Sequence, residues 1–219
     1  MRVILLAKTS LADYIPAYRP HTDYVSDSDV LAEQAGRLCY LSWDRPNQKT
    51  ADNRGYLTNI LAQQHYSVLE HSSATFYIDG VTRNFTHELI RHRHLSFSEV
   101  SQRYVDVSDF DFVRHPGLNE ISDETLNTVI SPARSLYSKL VDRFVVEGRS
   151  RKQARQSARH VLPSGMETRI VVTGNMRAWR EMLPKRLSPM ADAEFQQVAA
   201  LILKELIKIA PNTFQDFVE

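Results

Sequence analysis

Residues 122–146 read SDETLNTVISPARSLYSKLVDRFVV, the longest stretch of unbroken helical spacing in the chain. Leu126, Val129, Ile130, Ala133, Leu136, Tyr137, Leu140 and Phe144 recur at i, i+3 and i+4 and so share one helical face. Pro132 falls inside the run; it lacks a backbone N–H and should kink or restart the helix, while Gly148 suits its end. Towards the C-terminus, Ser150 opens a short Arg-rich helix stopped before Pro163, and β-branched Thr168–Thr173 reads as a strand. Gly174 reads as a turn and Asn175 as the N-cap of a helix that Pro184 should kink or end near residue 183. A last amphipathic helix covers about Asp192 to Ile209. Towards the N-terminus, Met1–Lys8 is a strand and 9–27 a loop. A helix opens at Ser28 or Asp29 and runs to about Leu41, with Leu31, Ala35 and Leu38 on its apolar side. A loop containing Pro46 follows, then a helix over about Asp52–His65, a strand over Ala74–Ile78, a turn at Asp79-Gly80 and a helix from Val81 to about His92. Few strands stand among long helices without strict alternation. This predicts one α+β domain over 1–219, its small, twisted sheet mainly antiparallel, rather than a doubly wound parallel sheet.

Composition narrows the class. Hydrophobic residues are 42%, charged residues 24% and the net charge +1, so no overall field calls for a polyanionic partner. The 20 Arg against 7 Lys are an unusual split. Arg is preferred where a planar fork must hold phosphate or carboxylate. Cys39 is the only cysteine, which excludes an intrachain disulfide and a thiolate cluster and suits a reducing, cytoplasmic setting. It reads as a small core residue between Leu38 and Tyr40. The apolar run Val3–Ala7 is too short for a secretory segment, and no run approaches the ~18 residues of a membrane span.

Some chemistry is excluded by spacing. The seven glycines allow neither a G-x-G-x-x-G turn nor a P-loop, so any nucleotide phosphate must be held by side chains and helix ends. His87-Glu88 and His92 are five apart, which turns the imidazoles about 140° from each other, and no metal site is expected.

Residues 91–104 read RHRHLSFSEVSQRY. The cations Arg91, His92 and Arg93 suit a helix C-terminus on dipole grounds alone. The second half is not explained that way. In extended chain Glu99, Ser101 and Arg103 share one face and Val100, Gln102 and Tyr104 the other, so a carboxylate, a hydroxyl and a guanidinium form a ligand-reading row.

This segment resembles the signature of the flavin-dependent thymidylate synthases: Arg91-His92-Arg93, seven residues, then Ser101, with Ser96, Glu99, Arg103 and Tyr104 in place. Weaker resemblance covers His65–His71, Ala158–Pro163 and Asn175–Arg186. The resemblance implies FAD contacts from Ser67, Arg91, His92, Arg93, Glu99, Asn175, Met176, Arg177 and Glu181. It implies dUMP contacts from Glu88, Leu89, Ile90, Arg91, Glu99, Val100, Ser101, Gln102, Arg103, Arg159 and Arg186, and it places His65 and Tyr104 near flavin and folate. It further implies reductive methylation of dUMP to dTMP with 5,10-methylenetetrahydrofolate and NADPH as co-substrates, in a homotetramer with shared sites, without nucleic-acid or membrane partners.

The chemistry agrees with those groups. Making C5 of uracil nucleophilic places negative charge on the ring, and a cation there is commonly worth ~3–4 kcal/mol. Arg186 takes that catalytic role by resemblance. Ser101 has no evident base partner, which favours hydrogen bonding to the nucleotide over nucleophilic attack. Arg151 and Arg155, at i, i+4, read as a solvated face. The chain departs from the family pattern at Glu181, where Asn or His is more usual, and at Met190, where some members carry His. The alternatives are a basic-patch nucleic-acid-binding module, disfavoured by the near-neutral charge, and an inactive family member.

Overall fold

The computed structural model describes residues 1–23, 25–45 and 47–217; Pro46, expected in the loop before the second helix, lies outside them. Its elements are β1 (Arg2–Lys8), α1 (Asp27–Tyr40), α2 (Asn53–Ala62), β2 (Ser73–Thr82), α3 (Arg83–Leu89), β3 (Leu95–Glu99), α4 (Asp123–Val146), α5 (Arg151–Ala158), β4 (Glu167–Asn175), α6 (Met176–Leu187) and α7 (Ala193–Ile209), joined in places by single 3-10 turns. The strands order β1-β2-β4-β3 in one antiparallel sheet, which makes the architecture α+β as expected. Contacts divide the chain into two compact units. The first comprises Met1–Arg2, Ile78–Arg91 and Phe97–Val171; the second comprises Val3–Tyr77, His92–Ser96 and Val172–Glu219.

In the first unit α4 and α5 form a hairpin. Ser122 caps α4 by accepting from Thr125 N, and the chain reverses at Gly148 (φ 89°). There Arg149 N donates to Phe144 O and Gly148 N to Val145 O, both at 3.0 Å, closing the last carbonyls. Ser150 and Gln153 form a capping box that starts α5. The small Ala154 and Ala158, both fully buried, pack with Val107, Tyr137 and Val141. Pro132 does not interrupt α4, contrary to expectation. It lies on the exposed face, where water can satisfy the carbonyl that its missing N–H leaves open. That face also carries Val129 and Leu136, 63% and 46% exposed, although their spacing assigns them to the packed side.

In the second unit Leu57, Leu69, Phe76, Trp179, Phe195 and Phe214 are fully buried, and Phe76 meets Trp179 edge-on at 5.2 Å. Here α1 departs most from its sequence reading. Its cap is Ser26, two residues earlier than expected, and its buried face is Asp29, Ala32, Glu33, Gly36 and Arg37, whereas Leu38 is half-exposed. Cys39 is likewise exposed rather than core.

Three glycine and proline readings are corrected. Asp79-Gly80 is no turn: β2 continues to Thr82, and Gly80 suits the position twice over, with φ 64° and with Met1 N only 2.6 Å from where a Cβ would lie. Gly174 lies within β4 rather than after it, against Leu95 and the Trp179 ring. Pro184 sits within α6, which runs on to Leu187, so of the two expected outcomes an end near residue 183 is excluded. The Val81–His92 helix shrinks to Arg83–Leu89, its start set by Thr82, which accepts from Phe85 N as the cap. The extended alternation from Glu99 stops at once: Ser101–Val105 is a turn, with Tyr104 N and Val105 N both donating to Ser101 O.

Candidate active site

Two groups of site residues emerge, one in each unit. The second unit holds the Arg186 group. On α6, Arg186 Nε donates to His92 Nε2 at 2.9 Å, and its guanidinium carbon lies 4.4 Å from the Phe195 ring centroid. Phe195 also meets the His92 ring edge-on at 6.0 Å, so one buried aromatic on α7 seats both groups. Accepting from a guanidinium requires a lone pair on Nε2, so His92 is neutral with its proton on Nδ1. Burial, then the Arg186 and Lys185 charges, push the imidazole down to about 4. The fully charged guanidinium is thereby oriented by a neutral partner.

Arg177, Asn175 and Glu181 gather on the first turns of α6. With Glu70, His94 and Ala178 they line a cavity of about 260 Å³. Asn175 Oδ1 is used as the helix cap, accepting from Ala178 N at 2.8 Å, which leaves its amide NH2 as a donor. Arg177 also borders a second cavity, about 350 Å³, lined by Cys39, Tyr56, His65, Tyr66, Ser67 and neighbours. It borders a third as well, about 510 Å³, beside Tyr66, Arg180, Asp216 and Phe217. Arg177 NH1 donates to Glu70 Oε1 at 2.5 Å, and both side chains are about half-exposed. Glu181 is drawn below the usual carboxylate range chiefly by the hydrogen bond from Lys185, at 3.1 Å. Arg93 is exposed. Met176 is fully buried, so its side chain belongs to the core and only its backbone N, donating to Ser72 O, lies near the strand ends.

The first unit holds the remaining residues. Glu99 Oε1 accepts from Thr86 Oγ1 at 2.9 Å and Thr168 Oγ1 at 3.0 Å, and pairs with Arg83 NH1 at 3.0 Å. It knits α3, β3 and β4 together. Arg91 and Ile90 are exposed, Glu88, Val100, Ser101, Arg103 and Arg159 partly buried, and Leu89 is wholly core. Gln102 is buried, and Arg103 Nε is buried with no hydrogen-bond partner among the described residues. Tyr104 is 61% exposed, and Lys152 lowers its phenol by hydrogen bond and charge. Residues not singled out in the sequence include Glu70, His94, Tyr66 and Arg180. Glu70 lies within the His65–His71 stretch, but only the partner Arg177, 107 residues away, reveals its position. Arg155, read as solvated, is tucked in and bonded, with its side chain 16% exposed.

Arginine-rich groups without a glycine-rich loop are of the class that can hold anions by side-chain forks. The model of the family described as thymidylate synthase complementing protein matches residues 22–212. Flavin-dependent thymidylate synthases of Mycobacterium bovis and Mycobacterium tuberculosis are each 46% identical over 229 residues, covering 99% of this chain and 90% of the relative. That of Mycobacterium marinum is 46% identical over 226 residues with the same coverage. The chain belongs to this family, the flavin-dependent thymidylate synthases.

Proposed function

We propose that this chain, as one domain over 1–219, methylates dUMP to dTMP with FAD as its cofactor, 5,10-methylenetetrahydrofolate as carbon donor and NADPH as reductant. The observation that carries the reading is the Arg186 guanidinium, aimed by neutral His92 and stacked on Phe195. A cation held that rigidly is placed to meet negative charge developing on a pyrimidine ring.

The residues present fit a flavin dinucleotide. Arg177 and the Asn175 amide offer donors to a pyrophosphate at the start of α6, where the helix dipole also favours an anion. Ser67 and His65 line the adjoining cavity. Arg91 and Arg93 supply further forks. The flavin, when bound, supplies the hydride chemistry that side chains lack. Arg186 fixes the pyrimidine edge, Ser101 and Arg103 hold the nucleotide, Arg159 adds a phosphate contact, and Tyr104 and His65 border the folate side. The three cavities and the exposed guanidiniums support this distribution.

The exposed apolar residues support a homotetramer with shared sites. Val129 and Leu136 stand seven apart on α4, and Ile4 and Leu6 alternate on β1. No helix among the described residues is long and apolar enough to cross a membrane; we place the enzyme in the cytoplasm, with small molecules rather than nucleic acid as its partners. The test is purified protein reconstituted with FAD. It should show flavin absorbance and oxidise NADPH faster with dUMP, and form dTMP once the folate is added. Colourless protein that FAD cannot reconstitute would overturn the reading.

A further inference from the structure

We propose that Arg155 is a positioning residue for the nucleotide: its fork, planted on α5, fixes the Ser101–Val105 turn that presents Ser101 and Arg103. This rests on the dUMP reading above. Arg155 NH1 donates to Tyr104 O at 2.7 Å and NH2 to Asp106 Oδ2 at 3.2 Å. The turn closes on Ser101, whose carbonyl accepts from Tyr104 N (3.1 Å) and Val105 N (3.0 Å) and whose Oγ accepts from Arg103 N (3.4 Å). Tyr104 O is therefore the exit of the turn, and Arg155 holds that exit.

The other ends are fixed independently. Val100 N donates to Arg169 O at the entry. Val107, 1% exposed, plugs into the α4–α5 core just beyond. Between those anchors the chain from Ser101 to Asp106 has no buried side chain but Gln102, so polar contacts must set its course. Asp106 is suited to its part. Burial opposes its ionisation, but the Ser108 hydrogen bonds and then Arg155 outweigh burial and keep its carboxyl below the usual range. Lys152, one turn earlier on α5, sits 4.6 Å from the Tyr104 ring centroid and adds a second contact from the same helix.

The residue type matters. A planar fork satisfies a carbonyl and a carboxylate at once, whereas a lysine ammonium is a point charge on a flexible stem. The capping box and the buried Ala154 and Ala158 fix the rotation of α5, and hence the aim of the fork. Arg151, on the same helix, is exposed. Only Arg155 of the two is built into the turn.

The experiment uses full-length, FAD-loaded protein with Arg155→Ala, Arg155→Lys and Asp106→Asn, measuring dUMP KM and kcat, FAD affinity, and hydrogen exchange of the 101–106 amides. Arg155→Ala should raise the dUMP KM about 10- to 100-fold, the scale of charge-assisted hydrogen bonds, with faster exchange in the turn and FAD affinity within about two-fold. Arg155→Lys, which keeps charge and stem and reads the same quantity if the alanine variant does not fold, should recover part of that loss. Asp106→Asn should fall between. Faster exchange with unchanged dUMP KM, full rescue by lysine, or equal weakening of FAD and dUMP would overturn the proposal. Wild-type protein that binds FAD but not dUMP would overturn the underlying reading instead, and this inference with it.

Discussion

Two arginine–carboxylate pairs in the second unit look alike on paper and differ in kind. Arg37 Nε donates to Glu33 Oε1 at 2.6 Å with side chains 3% and 0% exposed. Arg177 NH1 donates to Glu70 Oε1 at 2.5 Å with side chains 48% and 45% exposed. Around the first pair every direction is filled. Glu33 also accepts from Tyr18 Oη, from Asn53 Nδ2 and from His21 Nε2, and Arg37 spends its other nitrogens on Ser42 O and Thr50 O while lying over the Tyr56 ring. The second pair opens onto three cavities. The buried pair is architecture, and its charges are locked by geometry. The open pair is solvated, so under the FAD reading proposed above a ligand phosphate would replace Glu70 on Arg177 at little cost. Solvation, rather than charge or distance, separates an arginine that holds the fold from one that waits for a ligand.

The sharpest way to break this contrast is to remove one half of the buried pair. Glu33→Ala strands Arg37 in the core and should cost about 3–5 kcal/mol of stability, measured by urea denaturation; a loss under 1 kcal/mol would erase the distinction. Next in size is Arg186→Ala, at a half-buried arginine of the candidate site. It should lower kcat by about 10²- to 10³-fold while the melting temperature stays within a few degrees, and a large stability loss would reassign it to the architecture.

Acid titration comes third. His92 is pushed down to about 4, so the folded state binds fewer protons than the unfolded chain between that value and 6.5. Stability should therefore fall as pH drops through that window, and His92→Gln should flatten the slope. For Glu33, burial raises the carboxyl but the hydrogen bonds from Asn53, His21 and Arg37 outweigh it, so its contribution is present above 4.5 and lost further into acid. Asp29 runs oppositely. Burial raises it against the opposing Thr213, Asn212 and Ser26 hydrogen bonds, so its contribution declines as pH climbs above 3.8. Asp29→Asn would isolate the Glu33 step. The smallest effect belongs to the open pair. Glu70→Gln should change stability by less than about 1 kcal/mol and tighten FAD binding a few-fold, read from flavin absorbance; weaker FAD binding would make Glu70 a ligand residue rather than a placeholder.

Much of the architecture was legible because helical periodicity and caps are local. Ser122, Ser150, Asn175 and Asp192 open their helices, and those four starts were readable to a residue. Burial was not legible where the partner is distant. The apolar Leu38 faces out while Glu33 and Arg37 face in, because Asn53, Tyr18 and His21 arrive from other segments to satisfy them. Neither Pro132 nor Pro184 ends its helix, because each lies on an exposed face where water can replace the lost hydrogen bond. In the site, the signature motif located Arg91 to Arg103, but a ligand row drawn in extended chain became a turn. The i, i+4 arithmetic that sent Arg155 to solvent knew nothing of a free carbonyl 51 residues upstream.

The Ser150–Gln153 capping box sets the phase of α5. An α-helix advances about 100° of azimuth per residue, so one residue added between Ser150 and Arg155 would swing the guanidinium a quarter-turn away and bring a neighbour round in its place. The spacing from cap to fork thus behaves as an index mark, under tighter constraint than its surface position suggests. An insertion there should disengage Arg155 from the Ser101–Val105 turn while leaving both helices intact.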